Sequence, residues 1–157
     1  MEEPRAVHNT FVIERSYPKP RERVFAAFAD PATKRRWFAE GDHSDLEHFE
    51  CDFRLGGFER SRSRFKAGTP IAGAVMETEG IHLEIVPDRR IVIASGMSVG
   101  NRRISAALVT VELLRAENGT DLVLTHQAAF FEGADGPEMR EAGWRAILDK
   151  LRHELAR

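Results

Sequence analysis

Hydrophobic and polar positions recur with two different periods along this chain, and each change of period marks an element. TFVIERSY, residues 10–17, is rich in β-branched and aromatic side chains and stops at Pro18, which predicts a strand. In PRERVFAAFADP, residues 20–31, Pro20 suits a first helical turn, Val24, Ala27 and Phe28 share one face, and Asp30-Pro31 ends the run. Asp30 then offers an N-cap to a second short helix, PATKRRWF.

From about residue 46 the period becomes two. In LEHFECDFRLGG, Phe49, Cys51 and Phe53 alternate with His48, Glu50 and Asp52, and Gly56-Gly57 turns the chain into FERSRSRFK. GIHLEIV, RRIVIASGM, ISAALVTVELL and TDLVLTHQAAF continue the strand pattern, with turns at Pro87-Asp88 and Glu117-Asn118-Gly119. Such short spacers predict an antiparallel meander rather than βαβ units.

After Gly133 and Asp135-Gly136-Pro137 the period returns to that of a helix. In EMREAGWRAILDKLRHELAR, Trp144, Ile147, Leu148, Leu151 and Leu155 form one stripe, opposite Arg145, Asp149, Lys150 and Arg152. A sheet is the partner large enough to cover that stripe. Trp144 is expected to be buried against the sheet, with Gly143 allowing a close backbone approach. The predicted order is strand, two short helices, about six strands and a long helix, forming one domain over residues 1–157 with its core at about 10–155.

Composition narrows the functional classes. The 157 residues are 42% hydrophobic and 31% charged with net charge −2, a globular balance with no field favouring nucleic acid or an anionic membrane. The single cysteine excludes an internal disulfide. No apolar run approaches the roughly 20 residues of a membrane helix, and the polar start MEEPRAVHNT lacks a signal-peptide core, so the expected location is cytoplasmic.

Several stretches carry candidate chemistry. EGDHSDLEHFEC, residues 40–51, crowds acidic residues, His43, His48 and Cys51 together. Alternation along a strand nevertheless places His48 and Glu50 opposite Cys51, and no recognised ligand spacing is present, so no metal site is expected there. In GIHLEIV, Ile81, Leu83 and Ile85 look like the apolar face, which sends His82 outward to the surface. In TDLVLTHQAAF, His126 shares a face with Leu122 and Leu124 and points inward near Phe130 and Phe131, where a shifted pKa and a catalytic role can coincide. In FERSRSRFK, Arg60, Arg62, Arg64 and Lys66 form one face, read as a charged edge strand, while Ser61, Ser63 and Phe65 look inward. Trp37, Phe38, Phe53, Met76, Met97, Met139, Trp144 and Leu148 complete an apolar set able to line a pocket for a flat or lipid-like molecule. G-x-S-x-G, Walker, dinucleotide and H-E-x-x-H motifs are absent, and no cofactor is expected.

YPKPRERVFAAFADPATKRRWF, DFRLGG, EIVPDRRIV, NGTDLVLTHQ and GWRAILDKL, in this order from residue 17 to 151, resemble the START-like superfamily, also called helix-grip or birch-pollen-allergen-like. Within it the chain resembles the branch of the activator of heat-shock-protein-90 ATPase homologues. The resemblance implies an α+β fold, a curved antiparallel sheet of about seven strands gripping the C-terminal helix, with a cavity between them. It implies no shared catalytic set. The leading functional expectation is binding of a small hydrophobic molecule, lined by Trp37, Phe38, Phe53, Ser61, Ser63, Phe65, Met97, His126, Phe130, Met139, Trp144 and Leu148. A cyclase-like or hydrolase-like enzyme with His126 as acid or base is the alternative. A co-chaperone-type interaction protein is the third reading, and a homodimer stays open.

Overall fold

Strand β1 (Val7–Tyr17) leads into helices α1 (Arg21–Ala29) and α2 (Pro31–Lys34), and α2 runs on as a π-helical turn, Arg35–Ala39. Six strands follow: β2 (Ser44–Cys51), β3 (Phe58–Phe65), β4 (Val75–Val86), β5 (Arg90–Val99), β6 (Arg102–Ala116) and β7 (Gly119–Phe130). Helix α3 (Pro137–Leu155) ends the chain. This computed structural model describes residues 3–157; Met1 and Glu2, part of the polar start and of the expected domain, lie outside them. Among the described residues no helix is long and apolar enough to cross a membrane.

The local chemistry anticipated for these elements is visible in their hydrogen bonds. Asp30 accepts from the Thr33 backbone N–H at 3.1 Å and from its hydroxyl at 2.5 Å, and Pro31 occupies the first turn of α2. Those bonds hold the Asp30 carboxyl below its ordinary range. Gly100 and Asn101, with φ of 58° and 65°, make the β5–β6 hairpin, a turn that needs both central residues in the left-handed region.

The seven strands form one antiparallel sheet in the order β1-β7-β6-β5-β4-β3-β2. Strands β1 and β2 are its edges, so the segment from α1 to the π-helical turn connects one edge to the other. Register shifts at Leu46/His48, His82/Glu84 and Met97/Ser98 interrupt the ladder. Each such bulge bends its strand and adds twist, which curls the sheet around α3.

The apolar stripe of α3 lies where the sequence pattern places it. Leu148, Leu151 and Leu155 are fully buried among Ile13, Tyr17, Val24, Phe28, Val111, Leu122 and Leu124, while Trp144 and Ile147 pack partly buried at the margin. Burying each leucine contributes about 2 kcal/mol. Tyr17 donates its hydroxyl to the Leu148 carbonyl at 2.9 Å, and Trp37 donates its indole N–H to the Ala27 carbonyl at 2.9 Å. Buried Glu154 accepts from Arg36 of the π-helical turn and from Arg157 at 3.3 Å, fixing the C-terminal half of α3.

Four expectations are corrected. His82 is inward, 1% exposed, while Leu83 is 52% exposed: the bulge after His82 shifts the alternation that GIHLEIV implies. Strand β3 is not an edge, because it pairs with both β2 and β4. Its arginines remain outward and pair across strands, Arg62 with Glu47 at 3.0 Å and Glu77 at 3.2 Å, and Arg64 with Glu47 at 3.0 Å. Gly143 makes no close approach, since a Cβ there would meet open space. Trp144 is half-buried rather than buried, and its ring lies against Phe38 of the π-helical turn, 5.7 Å between centroids.

Candidate functional site

The strand registers define rows of side chains across the inner face of the sheet. One row runs Cys51, Glu59, Gly80, Ser95, Ala107, Ala128, Asn9, from β2 to β1. Four consecutive members, Gly80, Ser95, Ala107 and Ala128, are small, and the Ile93 side chain folds over Gly80, where a Cβ would meet it at 2.8 Å. On one side the next row is Phe49, Ser61, Thr78, Met97, Ser105, Phe130. On the other side His82, Ile93, Val109, His126 and Phe11 form a third row.

Helix α3 seals these rows unevenly. Over β1, β6 and β7 the inward side chains Phe11, Ile13, Val109, Val111, Leu122, Leu124 and Phe130 are buried. Toward β2–β5, Leu46, Phe49, Ser61, Phe65, Met76, Thr78, Ser95 and Met97 stay half-buried, as do Phe38, Trp144 and Ile147 facing them. The result is a groove-like band of half-covered side chains with an aromatic wall, where the family resemblance implied an enclosed cavity. Phe38 is its hinge point, 5.9 Å from Trp37, 6.5 Å from Phe49 and 5.7 Å from Trp144, ring centre to ring centre. Ser61 and Thr78 join their hydroxyls across β3 and β4. A separate hollow lies between Pro18–Glu22, which includes the start of α1, and the β6–β7 turn around Arg115, Ala116, Asn118 and Gly119, and opens on solvent.

The residues singled out from sequence divide accordingly. Phe38, Ser61, Phe65, Met97 and Trp144 stand along the groove, and Ser63 faces it from a buried position. Trp37 and Leu148 are fully enclosed in the core. Met139 is 67% exposed on the first turn of α3, outside the apolar packing. Phe53 lies instead with Phe25 and His82, 5.5 Å and 5.2 Å away. His43, His48 and Glu50 are exposed, and none converges on Cys51.

His126 is inward, as its shared face with Leu122 and Leu124 predicts, yet it is 1% exposed and stacked flat on Phe11 at 4.5 Å. Burial, with the Arg140 guanidinium adding to it, lowers its pKa from 6.5 to about 4. Arg140, also buried, is held by both Asp135 oxygens at 2.8 Å and donates to the Ser105 hydroxyl at 2.9 Å. It lies over the Phe130 ring, 5.0 Å from its centre. A histidine so enclosed and so weakly basic is poorly matched to proton transfer near neutral pH.

Sequence reasoning missed a second constellation at the β2 end of the small-residue row. Cys51, Glu59 and His82 present one sulfur, one carboxylate oxygen and one ring nitrogen within 4.8 Å of one another. Lys34 of α2 reaches down to pair with the Glu59 carboxylate, and its ammonium stands 4.7 Å from the Phe38 ring centre. Burial pushes the Cys51 thiol up to about 12, with Lys34 opposing the rise and Glu59 adding to it. The signal for this grouping was the cross-strand pairing of Cys51 with Glu59, and the bulge at His82 concealed it.

The family described as Activator of Hsp90 ATPase homolog 1-like protein matches residues 18–156, nearly all of the chain. The chain belongs to this family. Helix-grip architecture of the START-like superfamily is the corresponding fold, and the seven-stranded curved sheet holding α3 has that form. Among solved structures, an uncharacterized protein from Rhizobium leguminosarum is 36% identical over 99% of both chains, with a TM-score of 0.89. A protein from Rhizobium loti is 44% identical, covering 96% of this chain and 99% of its own, with a TM-score of 0.82. An AHSA1-like protein from Aeromonas hydrophila, 20% identical with 94% and 92% covered and a TM-score of 0.68, shares the fold. No curated protein matches the chain. As in any widely reused architecture, membership of the AHSA1-like family leaves the chemistry to be argued from the groove itself.

Proposed function

We propose that this chain binds a small, largely hydrophobic molecule in the groove between the inner face of β2–β5 and the middle turn of α3. The observation that carries this reading is the set of aromatic and methionine side chains along β2–β5, Phe49, Phe65, Met76 and Met97, which stay half-buried on the face turned to Phe38 and Trp144, with the small Ser95 on the same face. Interiors are normally packed to crystal-like density, so half-covered Phe49, Phe65, Met97 and Trp144 are surface that a ligand can complete. Hydroxyls of Ser61, Thr78 and Ser95 on the same face would orient one polar group of the ligand. His126 is sealed beneath Phe11 and Phe130, which disfavours a cyclase-like or hydrolase-like role for it.

Thermal-shift screening with fatty acids, flavonoids and polyketides tests the reading. A ligand present at 100 times its Kd stabilises the native state by about 2.7 kcal/mol and raises Tm accordingly. Ser95→Leu adds bulk in the middle of this face and should abolish the shift for any compound that gives one. A panel that leaves Tm unmoved, or a shift that survives Ser95→Leu, counts against the groove.

A further inference from the structure

Three side chains that the groove does not use converge beside it, and they come from three adjacent strands. Cys51 and Glu59 are cross-strand partners on β2 and β3, and Glu59 is in turn opposite Gly80, two residues before His82 on β4. Glu59 and His82 are buried and Cys51 is half-buried. The His82 ring is held from several sides. Nδ1 lies 2.9 Å from the Gly57 carbonyl, which can only accept, so Nδ1 is the donor. The backbone N–H of His82 donates to the same carbonyl at 3.1 Å, and the Gly56 N–H donates to the His82 carbonyl at 2.8 Å. Gly57 is required here, because a Cβ would come within 2.0 Å of the Asp52 carbonyl oxygen.

With Nδ1 committed as donor, Nε2 carries the lone pair of the neutral ring. It is buried and has no hydrogen-bond partner among the described residues. An unpaired buried acceptor is unfavourable, and natural interiors rarely leave one without a reason. One nitrogen anchored to a backbone carbonyl and the other left free, on a ring that brings a nitrogen within 4.8 Å of both the Cys51 sulfur and a Glu59 oxygen, is the arrangement of a metal-binding histidine with its orienting partner.

We infer that Cys51, Glu59 and His82 form a three-ligand site for a divalent transition-metal ion of the zinc type. A sulfur, an imidazole and a carboxylate suit a borderline-soft cation and disfavour magnesium or calcium, which take oxygen ligands. With bonds of about 2.0–2.3 Å, ligand atoms around a tetrahedral ion stand about 3.3–3.7 Å apart. Small side-chain rotations close the trio to that spacing from its present limit of 4.8 Å. On binding, the Cys51 thiol gives its proton to solvent and its sulfur donates an electron pair to the ion; nothing is oxidised or reduced. Lys34, already paired with Glu59, keeps one carboxylate oxygen while the other turns to the metal. The fourth position is left for water or a polar group of a bound molecule.

Cobalt(II) alone, added to the chelator-stripped full chain, tests the site without any variant. The expected result is a one-equivalent spectrum with a thiolate-to-cobalt charge-transfer band and intense four-coordinate visible bands. Zinc(II), competed against a chromophoric chelator, should erase that spectrum and protect Cys51 from alkylation. Cys51→Ser should lose the charge-transfer band, and Cys51→Ser, Glu59→Gln and His82→Asn should each weaken zinc at least roughly tenfold. Lys34→Met should keep the band and bind zinc no more weakly, since the competing ammonium is gone. Absence of the charge-transfer band at one equivalent, or zinc affinity equal in wild type and Cys51→Ser, overturns the assignment. These readouts do not depend on whether the groove binds a hydrophobic ligand.

Discussion

An imidazole stacked at 4.5 Å on Phe11, with a guanidinium rather than a carboxylate as its strongest charged neighbour, has little to gain from a proton. For His126 the folded pKa, about 4, lies below the unfolded value near 6.5. The unfolded chain therefore takes up the proton first as the solution is acidified. Stability is fully present above pH 6.5 and is lost as pH falls through the interval down to 4, by up to about 3 kcal/mol. Urea unfolding at pH 7, 5.5 and 4 should show this loss in the wild type and a smaller one in His126→Leu, where the titrating group is gone. Equal pH slopes in the two proteins would show that other groups govern the acid limb. The two buried histidines also mark how far local pattern reaches. His126 sits in an uninterrupted alternation, Leu122, Leu124, His126, and its inward direction was legible. His82 was not, because the bulge between it and Glu84 depends on how β4 meets β5, and nothing in GIHLEIV encodes it.

Helix α3 behaves as two parts. Its C-terminal half carries Leu148, Leu151 and Leu155 into the core, and its middle turn presents Trp144 and Ile147 to the groove margin. Leu151→Ala removes a fully enclosed side chain and should cost about 2–5 kcal/mol in denaturant unfolding. Trp144→Ala removes a half-buried one and should cost less, about 1–3 kcal/mol, while weakening whatever ligand the groove takes. If Trp144→Ala proves the more damaging to stability, Trp144 belongs to the core and the groove is narrower than drawn here. The apolar stripe of α3 was readable from its 3.6-residue period, but the burial of Arg140 and Glu154 was not. A charged residue is buried only where partners neutralise it, and Arg36, which meets Glu154, lies 118 positions away in the chain. Periodicity cannot report a contact of that range.

Across the whole molecule, a single row joins the two candidate sites. It begins with Cys51 on the edge strand β2, passes through Glu59 and Gly80, and reaches Ser95 beneath the groove. The antiparallel meander of the later strands and the closing helix were accessible from turns and periods, while the pairing of β1 with β7 was not. The row was not, because it exists only once six registers are fixed together. Glu59 and Ser95 are separated by one strand, about 9–10 Å at the usual interstrand spacing. Changes that far apart with no shared partner normally combine additively. Ser95→Leu should therefore leave the cobalt charge-transfer band of Cys51 intact, and Cys51→Ser should leave any groove ligand's thermal shift intact. Measured in the same two variants, loss of both signals from either substitution would mean that the metal's fourth position is filled by the ligand itself. The row would then be one site, reached by a polar group of the bound molecule once the Ile93 side chain over Gly80 gives way.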